Sequence, residues 1–79
     1  MGHQIGKLAD RDKLTQRELD VMARIALGYQ NKEIAAELCI SQRTVQCHAT
    51  HIFDKLRVSN RTEATAYYFG WIRQERISQ

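Results

Sequence analysis

Proline is absent from these 79 residues, and cysteine occurs only at Cys39 and Cys47. Without proline no helix is interrupted by a missing amide donor, which favours helices and argues against a loop-rich fold. Two thiols do not make a disulfide framework, and reduced thiols in the cytoplasm are the simpler expectation. No apolar run is long enough to span a bilayer. The stretch from Met1 to Lys13 lacks the apolar core of a signal peptide. The chain also lacks a Gly-rich phosphate loop, a paired-acid constellation and the length to form a deep pocket, so no enzyme and no cofactor are expected. One small domain with a modest core remains, because stability is limited below roughly 80 residues.

Apolar residues make up 43% of the chain and charged residues 27%, with a net charge of +3. That is enough for one core and a solvated surface. The basic excess suits nucleic acid only mildly, since many unrelated domains share it.

Residues 1–13 show no sustained period and read as a flexible lead-in or linker. The first helix is expected to start at Thr15, where Thr15 and Glu18 form a capping box behind Leu14. Val21, Met22, Ile25 and Ala26 follow at helical spacing. Gly28 is placed to end that helix in the left-handed conformation. Asn31 is expected to cap a second helix, with Ile34, Ala35 and Leu38 inward. A third helix from Ser41 to Leu56 buries Val45, Ile52 and Leu56. Asn60 with Glu63 caps a fourth, which carries Ala64, Tyr67, Tyr68, Trp71 and Ile72. Residues 75–79 are expected to fray. The fold class is therefore all-α: a compact four-helix domain over residues 14–74. Within it, residues 31–45 have the pattern of a helix-turn-helix, whose second helix can enter the DNA major groove.

The combination of motifs is specific. Leu14, Thr15, Arg17 and Glu18 open the first helix, and Val21, Met22, Ala26 and Gly28 follow. Asn31-Lys32-Glu33-Ile34-Ala35 leads to Leu38, Ile40 and Ser41. Then come Thr44, Val45 and His48, Ile52, Lys55 and Leu56, and Asn60, Arg61, Glu63 and Ala64. From Leu14 to Trp71 the chain resembles the LuxR/FixJ-type, or GerE-like, DNA-binding domain. The resemblance implies sequence-specific binding of double-stranded DNA as the output domain of a bacterial transcription regulator. It also implies a homodimer on palindromic or repeated half-sites. A receiver or sensor domain usually precedes such a domain, and RNA polymerase is a further expected partner. Three departures stand out. Cys39 occupies a turn position where many members carry Gly, Gln46 one that is often Lys or Arg, and Arg24 and Leu27 exchange the usual apolar and polar preferences.

With Val45 and Ile52 inward, Gln42, Arg43, Gln46, Cys47, Ala49 and Thr50 are expected to face outward. The resemblance points to Gln46, Cys47 and Thr50 for base edges, with Arg43 on a guanine or a phosphate. Glutamine can pair bidentately with adenine, and a threonine methyl or a thiol can meet a thymine methyl. Lys32, Ser41, Thr44, His48, Lys55 and Arg61 are expected at the phosphate backbone, where free amides at a helix start also favour an anion. On the fourth helix Thr62, Thr65, Ala66 and Phe69 are small or aromatic and suit a symmetric dimer contact. Cys47 and His51 are one helical turn apart, but His48 points to another flank and Cys39 lies in the turn, so no metal site is expected. The competing reading is a helical protein-interaction module, docking a regulatory domain or RNA polymerase through the fourth helix or through Leu19 and Leu27.

Overall fold

The computed structural model describes residues 13–77, with side chains through Trp71. Four helices fill this span: α1 (Gln16–Ala26), α2 (Asn31–Leu38), α3 (Gln42–Leu56) and α4 (Arg61–Ile77). No strand occurs among the described residues. The lead-in expected over residues 1–13 lies, but for Lys13, outside the described residues, as do residues 78–79.

Each helix start follows from a side chain that satisfies amides the helix leaves open. At α1 the Glu18 amide donates to Thr15 Oγ1 at 3.1 Å, and the Thr15 amide donates to Glu18 Oε1 at 2.9 Å. This is the expected capping box. At α3 the Thr44 amide donates to Ser41 Oγ at 3.0 Å. At α4 the Glu63 amide donates to Asn60 Oδ1 at 2.9 Å, while the Glu63 carboxylate reaches past the cap to the Ser59 amide at 2.7 Å. The start of α2 departs from expectation. Its cap is Gln30, whose amide donates to Glu33 Oε1 at 2.7 Å, and Asn31 is the first helical residue. The Asn31 side chain is thereby released for tertiary contacts.

The first three helices end alike. Gly28 has φ 91°, and Cys39 and Arg57 both have φ 58°. In each case the next amide reaches back over the last turn: Tyr29 to the Arg24 carbonyl at 3.0 Å, Ile40 to Ala35 at 3.1 Å, Val58 to Phe53 at 2.9 Å. This is the Schellman arrangement, in which a left-handed residue lets two orphan carbonyls be satisfied. Glycine takes that position without strain, whereas cysteine and arginine do so at a cost on the order of 1 kcal/mol each.

The core is built from one stripe per helix. Val21, Met22 and Ile25 of α1, Ile34 and Ala35 of α2, Val45, Ala49, Ile52 and Leu56 of α3, and Ala64 of α4 are buried together with Leu14. Helix α1 lies at the centre of this packing, touching α2, α3 and α4, while α2 lies against α3. Ala49, expected on the outer face of α3, is instead 1% exposed. It falls one turn after Val45, so it belongs to the inward stripe, and its methyl allows close helix approach. Leu19 is half-buried against the core, whereas Leu27 is 68% exposed. Arg24 ties α1 to α2 through its Nε at 2.7 Å from Glu37 Oε1. Near the end of α4, Trp71 meets both Tyr67 and Tyr68 with ring centroids 5.7 Å away.

Candidate nucleic-acid interface

The turn between α2 and α3 is short because Cys39 reverses the chain and Ser41 immediately caps the next helix. The consequence is geometric. Helix α3 is held by Val45, Ala49, Ile52 and Leu56, all buried, so its other face has to point to solvent. That face carries Gln42, Arg43, Gln46, Cys47 and Thr50, all exposed. Four of the five are the residues expected at base edges. Arg43 is charged, Gln46 and Thr50 are polar and Cys47 is weakly so.

The face is internally organised. Gln46 Nε2 donates to Thr50 Oγ1 at 3.3 Å, and Gln46 Oε1 accepts from Asn31 Nδ2 at 3.1 Å. Asn31 Oδ1 in turn accepts from the Arg61 guanidinium at 2.7 Å, and the same guanidinium donates to the Tyr29 carbonyl at 2.6 Å. Arg61 opens α4 and Asn31 opens α2, so three helices meet in this chain of hydrogen bonds. Sequence reasoning missed Asn31 because a polar residue at a helix start reads as a cap. The signal available was Gln30 with Glu33, which fits a cap pair one residue earlier.

The expected phosphate residues occupy different settings. Lys32 and Ser41 are exposed, at the first turn of α2 and at the cap of α3. Thr44 and His48 are half-buried on α3, and the Thr44 hydroxyl lies 2.9 Å from that of Ser41. Arg61 is engaged with Asn31 and Tyr29 as described. Lys55 Nζ sits 2.7 Å from Glu18 Oε1, and His51 Nδ1 lies 4.0 Å from the other oxygen of that carboxylate. Burial works against ionisation of Glu18. The hydrogen bonds from Lys55 and the Thr15 amide, with the charges of Lys55 and His51, outweigh it and hold the carboxyl below its ordinary range.

On α4, Thr62 and Ala66 are exposed and Thr65 is half-buried. These three line one open groove with Ile25, Gly28, Tyr29, Gln30 and Arg61. Phe69 stands outside that groove, 46% exposed and edge-on to Tyr68. Both cysteines are free and exposed. Among the described residues no group of three or more His, Cys, Asp or Glu side chains is placed to hold a metal ion. No described helix is long and apolar enough to cross a membrane.

A short helix, a left-handed turn and a second helix with one outward polar face define a helix-turn-helix protein. Residues 12–68 match the family described as bacterial regulatory proteins, luxR family. The transcriptional regulatory protein LiaR of Bacillus subtilis is 50% identical over 56 residues, which cover 71% of this chain and 26% of that protein. The nitrate/nitrite response regulator protein homolog of Haemophilus influenzae is 47% identical over 58 residues, 73% of this chain and 28% of that protein. The response regulator protein VraR of Staphylococcus aureus is 43% identical over 58 residues, with the same 73% and 28% coverage. The chain thus spans about a quarter of the length of these relatives. It belongs to the luxR family of bacterial regulatory proteins, as a DNA-binding domain of the transcription-regulating kind.

Proposed function

We propose that the chain reads double-stranded DNA in the major groove through α3, as a homodimer on palindromic or repeated half-sites. The observation that carries this is the outward face of α3, where Arg43, Gln46, Cys47 and Thr50 stand exposed over a fully buried stripe. Base edges are taken by these four. Phosphates are taken by Lys32, Ser41, Thr44 and His48, which flank them. Lys55 and Arg61 contribute at the same backbone while also holding Glu18 and Asn31. Thr62, Thr65, Ala66 and Phe69 supply the contact between two copies. A helix-turn-helix dimer of this kind works by binding alone, so no catalysis or cofactor is assigned, and the cytoplasm is its place of action. Residues 14–74 form the binding unit, and a receiver or sensor domain and RNA polymerase are its partners in the intact regulator.

Fluorescence anisotropy on selected and random duplexes across salt tests this reading. A selected site should bind more tightly, and Gln46→Ala and Thr50→Ala should each relax its sequence preference. Binding that is indifferent to sequence and to both substitutions would remove α3 as the reader.

The second reading, a protein-interaction module, is favoured by one observation: Leu27 is 68% exposed at the end of α1. Charge reversal at Lys32 and Arg43 discriminates the two. It should abolish DNA binding and leave docking through Leu27 intact.

A further inference from the structure

Arginine only donates hydrogen bonds, whereas asparagine and glutamine offer one accepting and one donating end. That asymmetry propagates along the chain of bonds described above. The Arg61 guanidinium, 2.7 Å from Asn31, requires the Asn31 carbonyl oxygen at that end. The Asn31 amide nitrogen must then face Gln46, so Gln46 turns its oxygen toward Asn31 and its nitrogen toward Thr50. The amide orientations are thus dictated by a charged group on α4 that reaches the α3 face through Asn31.

The donor count on that face follows. Gln46 Nε2 carries two N–H groups, of which one is given to Thr50. Thr50 Oγ1 accepts that bond, so its own O–H is left to donate outward. Gln46 Oε1 is drawn back toward Asn31. What Gln46 offers a base is therefore an N–H and no oxygen, beside a Thr50 hydroxyl that keeps its O–H and one lone pair; two adjacent donors are available together. The bidentate contact of a glutamine amide to adenine needs its own oxygen beside its nitrogen, because adenine shows N7 and the N6 amino group in the major groove, and here that oxygen is held by Asn31. Guanine shows two acceptors there, N7 and O6.

We propose that Asn31 and Arg61 are positioning residues that set the hydrogen-bond polarity of Gln46 and Thr50, so that this pair selects guanine. The proposal rests on α3 being the DNA reader. Asparagine at position 31 and glutamine at position 46 have to occur together for the relay to reach the groove.

The test is selection of binding sites from a randomised duplex pool by the full 79-residue chain, repeated with Gln46→Ala, Asn31→Asp and Asn31→Ala. Asn31→Asp is close to isosteric and keeps a partner for Arg61, but aspartate cannot donate. Gln46 then turns its nitrogen toward position 31, and its oxygen and the Thr50 lone pairs become outermost. The expected result is one site position that is guanine for the native chain and loses its preference in Gln46→Ala. At that position Asn31→Asp should shift preference about tenfold toward adenine or cytosine, which present amino groups. The added negative charge lowers affinity for all sequences alike, so the base ratio at that position is the readout. A second arm leaves the protein untouched. Replacing that guanine by 7-deazaguanine, which lacks N7, should weaken binding about tenfold, whereas inosine, which keeps N7 and O6, should not.

An adenine at the Gln46-dependent position, an unchanged base ratio in a folded Asn31→Asp, or indifference to 7-deazaguanine overturns the relay while leaving α3 as reader. If Gln46→Ala alters preference at no position, the reader assignment falls and the relay falls with it.

Discussion

Lys55 of α3 places its ammonium 2.7 Å from the carboxylate of Glu18 on α1, and Glu18 is only 3% exposed. The same carboxylate closes the capping box of α1 through the Thr15 amide. One buried acid therefore both starts the first helix and pins α3 against it. Removing Lys55 leaves a buried charge with its main partner gone, which is the costly way to break such a pair. Lys55 itself is 34% exposed in its side chain, which moderates the loss. Lys55→Ala is expected to cost roughly 2 kcal/mol, and Glu18→Gln to cost less. Urea denaturation of both singles and the double should show a coupling, and additive losses would mean that the two residues act independently.

The same carboxylate sets an acid limit. Its folded value lies below the ordinary one. On acidification the unfolded chain therefore takes up this proton first, and falling pH favours unfolding. The stabilisation is complete above the ordinary glutamate value of about 4.3 and is lost as pH falls through the lowered folded value. Melting temperatures followed from neutral to strongly acidic buffer should drop through this window, and Glu18→Gln should flatten the drop.

Two residues hold similar left-handed backbone at opposite cost. Cys39 has φ 58° with a side chain, and Gly28 has φ 91° without one. Cys39→Gly should stabilise the domain by about 0.5–1 kcal/mol, the relief of strain offset in part by a freer unfolded chain. Gly28→Ala should destabilise by about 1–2 kcal/mol. A methyl there meets nothing within 4 Å, so that cost is conformational and not steric crowding. Thermal melts of the two variants should move in opposite directions.

Ala49 and Cys47 lie on the same helix, yet one is 1% exposed and the other faces solvent. Enlarging the first overfills the seam between α3 and the core. Ala49→Leu is expected to cost about 1–3 kcal/mol. Cys47→Leu should stay within about 0.5 kcal/mol of the native chain. Equal losses in chemical denaturation would contradict the placement of Ala49.

Phe69 is 46% exposed and meets the other aromatic rings of α4 only edge-on, through Tyr68. Phe69→Ser should therefore leave the melting temperature nearly unchanged. Under the dimer reading it should lower affinity for a two-half-site duplex while leaving a single half-site unaffected. Anisotropy titrations on both duplexes provide the measurement, and equal effects on the two would remove Phe69 from the contact.

Local chemistry was legible where a residue's role depends on its neighbours in the chain. Thr15 with Glu18, Ser41 with Thr44 and Asn60 with Glu63 are all within one helical turn, and their caps form as their spacing suggests. The stripe of Val45, Ile52 and Leu56 was equally readable, and its burial leaves the polar face of α3 outward. Ala49 was misread because alanine is tolerated on either side of a helix, so its hydrophobicity carries little weight in a pattern. Arg57, the second left-handed residue with a side chain, left no trace either, since arginine has no preference for that backbone.

Four helices, their caps and the exposed character of the α3 face were thus decided by the order of residues, because helix periodicity and capping act over three or four positions. What the tertiary structure alone decided is which distant polar groups meet. Glu18 and Lys55 are 37 residues apart in sequence, and Asn31 and Arg61 are 30 apart. Hydrogen bonds and ion pairs act only at contact distance, and that distance is created by packing α1 against α3 and by bringing the starts of α2 and α4 together. The polarity of Gln46 is settled there, through a residue whose side chain looked from the sequence like nothing more than a cap.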